Sequence, residues 1–269
     1  MAYIRRFTIL GCGSSPGVPR ITGDWGACDP ANPKNRRTRA AFLVEQIGPE
    51  GKTTVVIDTG PDFRTQMISA GVESIDAVLY THAHADHIHG IDDLRQIAFN
   101  MGRRMPVHAD ARTAAALKQR FGYIFETPPG SSYPPICQMN LIEGPIRVTG
   151  AGGLLELIPF EVDHGDTRAL GFRIPAPGGG LVYLPDVKDI PEAAWPVISG
   201  AEIFVCDGLR RKPHPSHAHL ALTLEWIARS GCRRGVITNM HIDLDYDAVM
   251  AETPDHVIPA HDGLVLHLA

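Results

Sequence analysis

Four histidines and an aspartate, His82, His84, Asp86, His87 and His89, fall within eight positions of the stretch LYTHAHADHIHGIDDLR, residues 79–95. Imidazole and carboxylate side chains crowded in this way are a donor set for zinc, manganese or iron. In an extended stretch His82 and His84 point to the same side, because side chains alternate with period two, so the pair can grip one ion. Asp86 and His87 lie where the chain turns into a helix and aim at a second position. Farther along, His164, Asp186 and His241 each stand at the end of an apolar strand. These are too many ligands for one tetrahedral ion, and two ions sharing a bridging carboxylate use them all. Two ions roughly 4 Å apart can hold a hydroxide between them and clamp a transferring phosphoryl or acyl group. The competing reading is a solvated histidine-rich loop.

The elements that must position these groups alternate in type. YIRRFTIL, RAAFLVEQI and TTVVIDTG read as strands, DFRTQMISAG as a helix closing on Gly71, and DAVLY as a strand buried on both faces. The histidine cluster follows DAVLY directly. GIDDLRQIAFN is helical, with Ile91, Leu94, Ile97 and Ala98 along one face. The second half repeats the style. LLELIPFEV, ALGFRIPA, GLVYLPD, AEIFVCDG and RGVITNM are strands, and SHAHLALTLEWIARSG is a helix with Ser216 as N-cap and Gly231 as its stop. DYDAVMAE then reads as helix and GLVLHLA as strand. Two such halves predict an α/β fold, a four-layer αββα sandwich of two mixed sheets with helices outside, in one domain over residues 1–269.

Composition narrows the function classes. Of the 269 residues, 44% are apolar and 20% charged, a globular balance. The formal net charge of −5 argues against a grip on long nucleic acid. No run approaches the roughly 18 apolar residues of a membrane span, and MAYIRRFTIL lacks the apolar core of a signal peptide, so a cytoplasmic protein is expected. The five cysteines are scattered, without a CxxC pair, and read as inert thiols.

THAHADH, followed by His164, Asp186 and His241 in order, resembles the HxHxDH signature and later motifs of the metallo-β-lactamase superfamily over almost the whole chain. The resemblance implies one ion on His82, His84 and His164, a second on Asp86, His87 and His241, and Asp186 bridging. It implies that Asp58, in VVIDTG, bonds a ligand histidine and fixes its tautomer. LGCGSSPGVP (10–19) and NPKNRRTRAAFLVE (32–45) are similar to the superfamily's phosphodiesterase branch. That branch includes the tRNA 3′-processing endonuclease and, as the nearer match, the phosphoribosyl cyclic phosphodiesterase of phosphonate breakdown. It places a general-acid histidine in HPSHAHLAL (214–222). Position assigns that role to His219, with His217 the alternative, so His219 and Asp86 form the catalytic set. The nearer relative carries a Cys-rich loop with a structural zinc. Here GDWGACDPANPKNRR keeps only Cys28, and that zinc is expected to be absent.

The function implied is hydrolysis of a small cyclic or nucleotide-like phosphodiester, without a membrane or long nucleic acid as partner. A thioesterase or lactonase of the same fold, a nuclease acting on RNA 3′ ends and a non-catalytic metal-binding protein are the alternatives. Arg210, with Arg211, reads either as a contact to the substrate's phosphate or as a solvated basic turn. His89 reads as helix surface or as support behind the ligands. GCGSSPG lacks the Lys-Ser/Thr of a P-loop and reads as a tight turn at the metal rim. Residues 123–135, YIFETPPGSSYPP, read as a lid or as the contact of a homodimer.

Overall fold

The computed structural model describes residues 3–268. The first half of the chain forms β1 (Ile4–Gly11), β2 (Ala41–Gly48), β3 (Gly51–Ile57), α1 (Phe63–Ala70), β4 (Ala77–Leu79), α2 (Ala85–Ile88), α3 (Leu94–Met101), β5 (Met105–Ala109), α4 (Ala111–Phe125) and β6 (Cys137–Leu141). The second forms β7 (Ile146–Gly150), β8 (Gly153–His164), β9 (Thr167–Ile174), β10 (Leu181–Leu184), α5 (Trp195–Ile198), β11 (Ile203–Asp207), α6 (Leu220–Ser230), β12 (Arg234–Thr238), α7 (Tyr246–Glu252), β13 (Val257–Pro259) and β14 (Leu264–His267).

Two sheets of seven strands result, in the orders β14-β1-β2-β3-β4-β5-β6 and β13-β12-β11-β10-β9-β8-β7. Each begins with antiparallel pairs and turns parallel, from β3 to β6 in the first sheet and from β10 to β13 in the second. The chain's last strand returns to the first sheet and pairs antiparallel with β1. The reason lies in the strands themselves. In β2 and β3, Phe42, Val44, Val55 and Ile57 enter the core between the sheets, while Ala41, Leu43 and Val56 join the layer under the first sheet's helices. Period-two side chains with both faces apolar require cover on both sides. Phe42 stacks on Tyr183 of the opposite sheet with ring centroids 4.3 Å apart, so the two sheets are locked face to face.

One feature differs from the sequence expectation and one stretch lies outside it. α6 is capped by His219 rather than Ser216, because the His219 ring Nδ1 accepts from Leu222 N at 3.3 Å and the preceding residues remain extended. Residues 105–150, to which the sequence reading assigns no elements, form three strands and the kinked α4. Among the described residues no helix is long and apolar enough to cross a membrane.

Candidate metal centre

The chemistry sits at strand ends. β3 delivers Asp58, β4 leads into Thr81–His87, β8 ends on His164, Asp186 follows β10, β11 ends on Asp207, and Asn239 and His241 follow β12. Within each sheet these strands run the same way, so their carboxyl ends share an edge, the usual ligand-binding side of such sheets. Asp58 (φ 66°) and Asn239 (φ 60°) are the two non-glycine residues found in the left-handed region among the described residues. Both turn the chain sharply at this edge, a strain that Asp and Asn tolerate best and that gathers at functional sites. Gly60 permits a close approach here: a Cβ there would lie 2.2 Å from the Asp86 carbonyl oxygen.

Four of the histidines are oriented by the atom behind them. Asp58 Oδ2 lies 2.7 Å from His87 Nδ1 and accepts from Thr81 Oγ1 at 2.8 Å, while Thr81 Oγ1 lies 2.9 Å from His82 Nδ1. His164 Nδ1 donates to Ser216 O at 2.7 Å, and His241 Nδ1 lies 2.8 Å from Asp243 Oδ1. These acceptors place the proton on Nδ1 and leave the Nε2 lone pairs of His82, His87, His164 and His241 for another partner. His84 Nδ1 lies 2.9 Å from His82 Nε2 and 3.2 Å from His164 Nε2. His87 Nε2 and Asp186 Oδ2 face each other at 3.1 Å, both buried and without hydrogen-bond geometry. Crowded lone pairs beside an orphaned carboxylate oxygen suit a cation and little else. Ligand atoms within 4.8 Å of one another form three groups: His82, His84 and His164; His82, His87 and Asp186; His164, Asp186 and His217.

Electrostatics agree with the donor set at three of the histidines and not at His87: burial opposes a charge there, but Asp186, Asp58 and Asp86 carry that ring well above the ordinary imidazole value. Burial holds His84 and His164 below the ordinary imidazole value and His82 well below it, in the neutral form that binds a metal. Burial alone would raise Asp186, but the charge of His87, and then that of His217, outweighs it and carries the carboxyl well below its usual range. Burial also opposes a charge on His217. The neighbouring Asp207, then Asp186 and Asp86, overcome it and raise the ring to about 9. Asp207, fully buried, is itself pushed up to about 6 by desolvation.

The structure brings together His82, His84, His87, His164 and Asp186. Asp86 borders them, its Oδ2 3.6 Å from His87 Nε2 and 2.5 Å from Ser15 Oγ, so the Gly-Ser loop does reach the rim. His241 lies outside the three groups and meets Arg20 Nη2 at 2.6 Å. His219 lies outside them as well, as the α6 cap, whereas His217 reaches the centre, its Nδ1 2.9 Å from Asp207 Oδ2 and 3.6 Å from Asp186 Oδ1. Arg210 spends its guanidinium on the carbonyls of Lys212 and Pro213 in its own turn, and Arg211 pairs with Glu252 at the end of α7. His89 is exposed and packs edge-on against Phe121. Tyr123 belongs to the end of α4, and Tyr133 is exposed beyond it.

Three residues join the site without a sequence expectation. Asp207 holds His217. Asn239 Nδ2 donates to Asp186 Oδ1 at 3.2 Å. Arg37, 2% exposed, donates to Leu244 O at 2.7 Å and His241 O at 3.4 Å and fastens the loop that carries His241. A sequence signal existed for Asp207, which ends an apolar strand as Asp58 and Asp186 do.

Two seven-stranded mixed sheets with a His/Asp cluster at their common edge define a hydrolase of the metallo-β-lactamase fold. The Beta-lactamase superfamily domain matches residues 53–242. The structure of a diphosphatase from the PhnP family superposes with a TM-score of 0.87 and 34% identity, covering 99% of this chain and 98% of that one. The chain belongs to the beta-lactamase superfamily and, within it, to the PhnP family. An Octanoyltransferase of Porphyromonas gingivalis is 32% identical over 264 residues, 96% of this chain and 51% of that protein. A Ribonuclease Z of Bradyrhizobium diazoefficiens is 30% identical over 152 residues, 54% of this chain and 46% of that protein. The chain thus spans about half the length of the curated relatives it matches.

Proposed function

We propose that the protein is a phosphodiesterase dependent on two divalent ions, zinc or manganese, that cleaves a small nucleotide-like or cyclic phosphodiester or a diphosphate, with His217 as general acid. The observation that carries this reading is the His217–Asp207 pair set against Asp186. Asp207 holds His217 Nδ1 at 2.9 Å, which favours the protonated ring and leaves Nε2 to carry a transferable proton. The similarity to a PhnP-family diphosphatase and to Ribonuclease Z supports phosphoryl chemistry. The net charge of −5 favours a small substrate over a folded RNA.

His82, His84 and His164 would hold one ion and Asp86, His87 and His241 the other, with Asp186 between them. Such ions supply water of lowered pKa and neutralise the non-bridging oxygens of a phosphodiester. The chain's own residues do the rest. Asp58, Thr81 and the Ser216 carbonyl fix the ligand tautomers. His217, its Nδ1 held by Asp207, keeps Nε2 to protonate the departing alkoxide, a poor leaving group without that proton.

The test is turnover by protein loaded with Mn²⁺ or Zn²⁺. The panel comprises bis(p-nitrophenyl) phosphate, a nucleoside 2′,3′-cyclic phosphate, ADP-ribose and an octanoyl thioester. Cleavage of at least one phosphate ester or diphosphate is expected. Cleavage of the thioester with none of the phosphates would overturn the proposal.

A further inference from the structure

The amide of Asn239 stands between the two carboxylates on which the chemistry above depends. The residue follows β12 with φ 60°, in the region that glycine enters freely and that Asn and Asp tolerate best among the rest. Its backbone is tied down on both sides. Gly208 N donates to Thr238 O at 3.0 Å, Met240 N to Cys12 O at 2.8 Å and His241 N to Leu209 O at 2.9 Å. At 1% exposure the side chain has no room to swing away.

Asp186 and Asp207 are both buried, and the charge on Asp186 disfavours one on Asp207. Asn239 Nδ2 lies 3.2 Å from Asp186 Oδ1 and 3.4 Å from Asp207 Oδ1. An amide nitrogen carries two N–H groups, so it donates to both carboxylates at once. His217 Nδ1, 3.3 Å away, is itself a donor spent on Asp207 Oδ2 at 2.9 Å and takes neither. The two bonds sort four oxygens. Oδ1 of each carboxylate goes to the amide. Asp207 Oδ2 is left for His217 Nδ1 and for Val187 N at 3.1 Å. Asp186 Oδ2 is left facing His87 Nε2 with no hydrogen bond of its own. Glycine would suit the backbone but bring no donor, and aspartate would set a third carboxylate against two. Asparagine meets both demands.

We propose that Asn239 is a positioning residue that couples the bridging carboxylate to the proton donor. By holding Oδ1 of both acids it turns Asp186 Oδ2 toward the ions and Asp207 Oδ2 toward His217. This rests on the phosphodiesterase reading above and adds the part that sets the donor against the bridge.

The experiment compares the native protein with Asn239→Gly and Asn239→Asp. The glycine keeps the turn and removes the amide. The aspartate keeps the turn and the shape but replaces the donor with a negative charge. Three quantities are read on each: Zn²⁺ affinity by calorimetry, the downfield ring N–H proton resonance of His217 in the Zn²⁺ form, identified by its loss in His217→Gln, and kcat at saturating Zn²⁺ on diesters with leaving groups of graded pKa. In Asn239→Gly, Zn²⁺ affinity should fall about tenfold or more and the His217 resonance should shift. There kcat should fall about tenfold on an alkyl diester and less than about threefold on a p-nitrophenyl diester. In Asn239→Asp the added charge should return Zn²⁺ affinity to at least the native value, while repulsion among three carboxylates keeps the resonance and the leaving-group dependence altered. Native affinity or a native His217 resonance in Asn239→Gly would overturn the coupling, as would equal kcat losses on every leaving group. Weakened Zn²⁺ binding and a shifted resonance in a protein whose native form hydrolyses no phosphate ester would uphold the role of Asn239 and overturn the phosphodiesterase reading.

Discussion

At the scale of single residues, the site turns on two histidines two positions apart. His219 spends its ring on the α6 cap, and His217 spends one nitrogen on Asp207 at the edge of the ligand groups. Their substitutions should separate cleanly. His217→Gln removes the proton donor and should lower kcat about 10²–10⁴-fold on a poorly activated alkyl diester, and much less on a p-nitrophenyl ester, whose leaving group needs no proton. His219→Gln removes a helix cap, a loss of about 1 kcal/mol that a thermal melt reads, with the leaving-group dependence intact. Rates on leaving groups of graded pKa check both outcomes. A steep new leaving-group dependence in His219→Gln and none in His217→Gln would return the acid's role to His219.

At the scale of elements, much of the site was legible because strands end where chemistry begins. THAHADH after DAVLY, and Asp58, His164, Asp186 and His241 after their strands, could be placed on one edge without coordinates. What escaped depends on neighbours across the fold. Asp207 reads as the last residue of a buried strand until β11 is seen between β10 and β12, where its carboxylate meets His217. The choice between His217 and His219 depends on where α6 starts, which the Ser216 reading set three residues early. Arg37 was invisible because it reaches the His241 loop through backbone carbonyls, which leave no mark in a sequence. It is a buried cation that pins the His241 loop through Leu244 O and His241 O, with Asn35 Oδ1 at 3.1 Å as a third acceptor. Arg37→Met should therefore loosen that loop and weaken the ion that His241 would hold by about tenfold or more, the usual cost of disturbing support behind a ligand. The ion on His82, His84 and His164 should bind as before. Equilibrium dialysis with Zn²⁺, resolving two stoichiometric steps, is the measurement. Equal weakening of both steps would mean that Arg37 merely holds the fold together.

At the scale of the whole molecule, the candidate centre is a bridge between the two sheets. His82, His84, Asp86 and His87 come from the first sheet's edge, and His164, Asp186 and His241 from the second's. Apart from this edge, the sheets meet through apolar faces such as Phe42 on Tyr183 and through bonds from Gln46 and Thr53 to the carbonyls of Gly152, Gly153 and Leu154. A metal bound by both edges can be held fully only by the folded chain. It should stabilise that state by about 4 kcal/mol when free metal stands at 1,000 times its dissociation constant. For a chain of this size each kcal/mol moves the midpoint by roughly 2–4 °C, so chelation should lower Tm by about 8–16 °C. Readdition of Zn²⁺ or Mn²⁺ should restore it. Asp186→Asn supplies the control, because it weakens the residue shared by two of the three ligand groups. In that variant the gap between metal-loaded and chelated Tm should shrink by at least half, whatever its metal-free Tm. Scanning calorimetry of both proteins, loaded and chelated, decides the matter. A native protein whose Tm ignores chelation would show that the cluster does not fasten the two sheets through a metal.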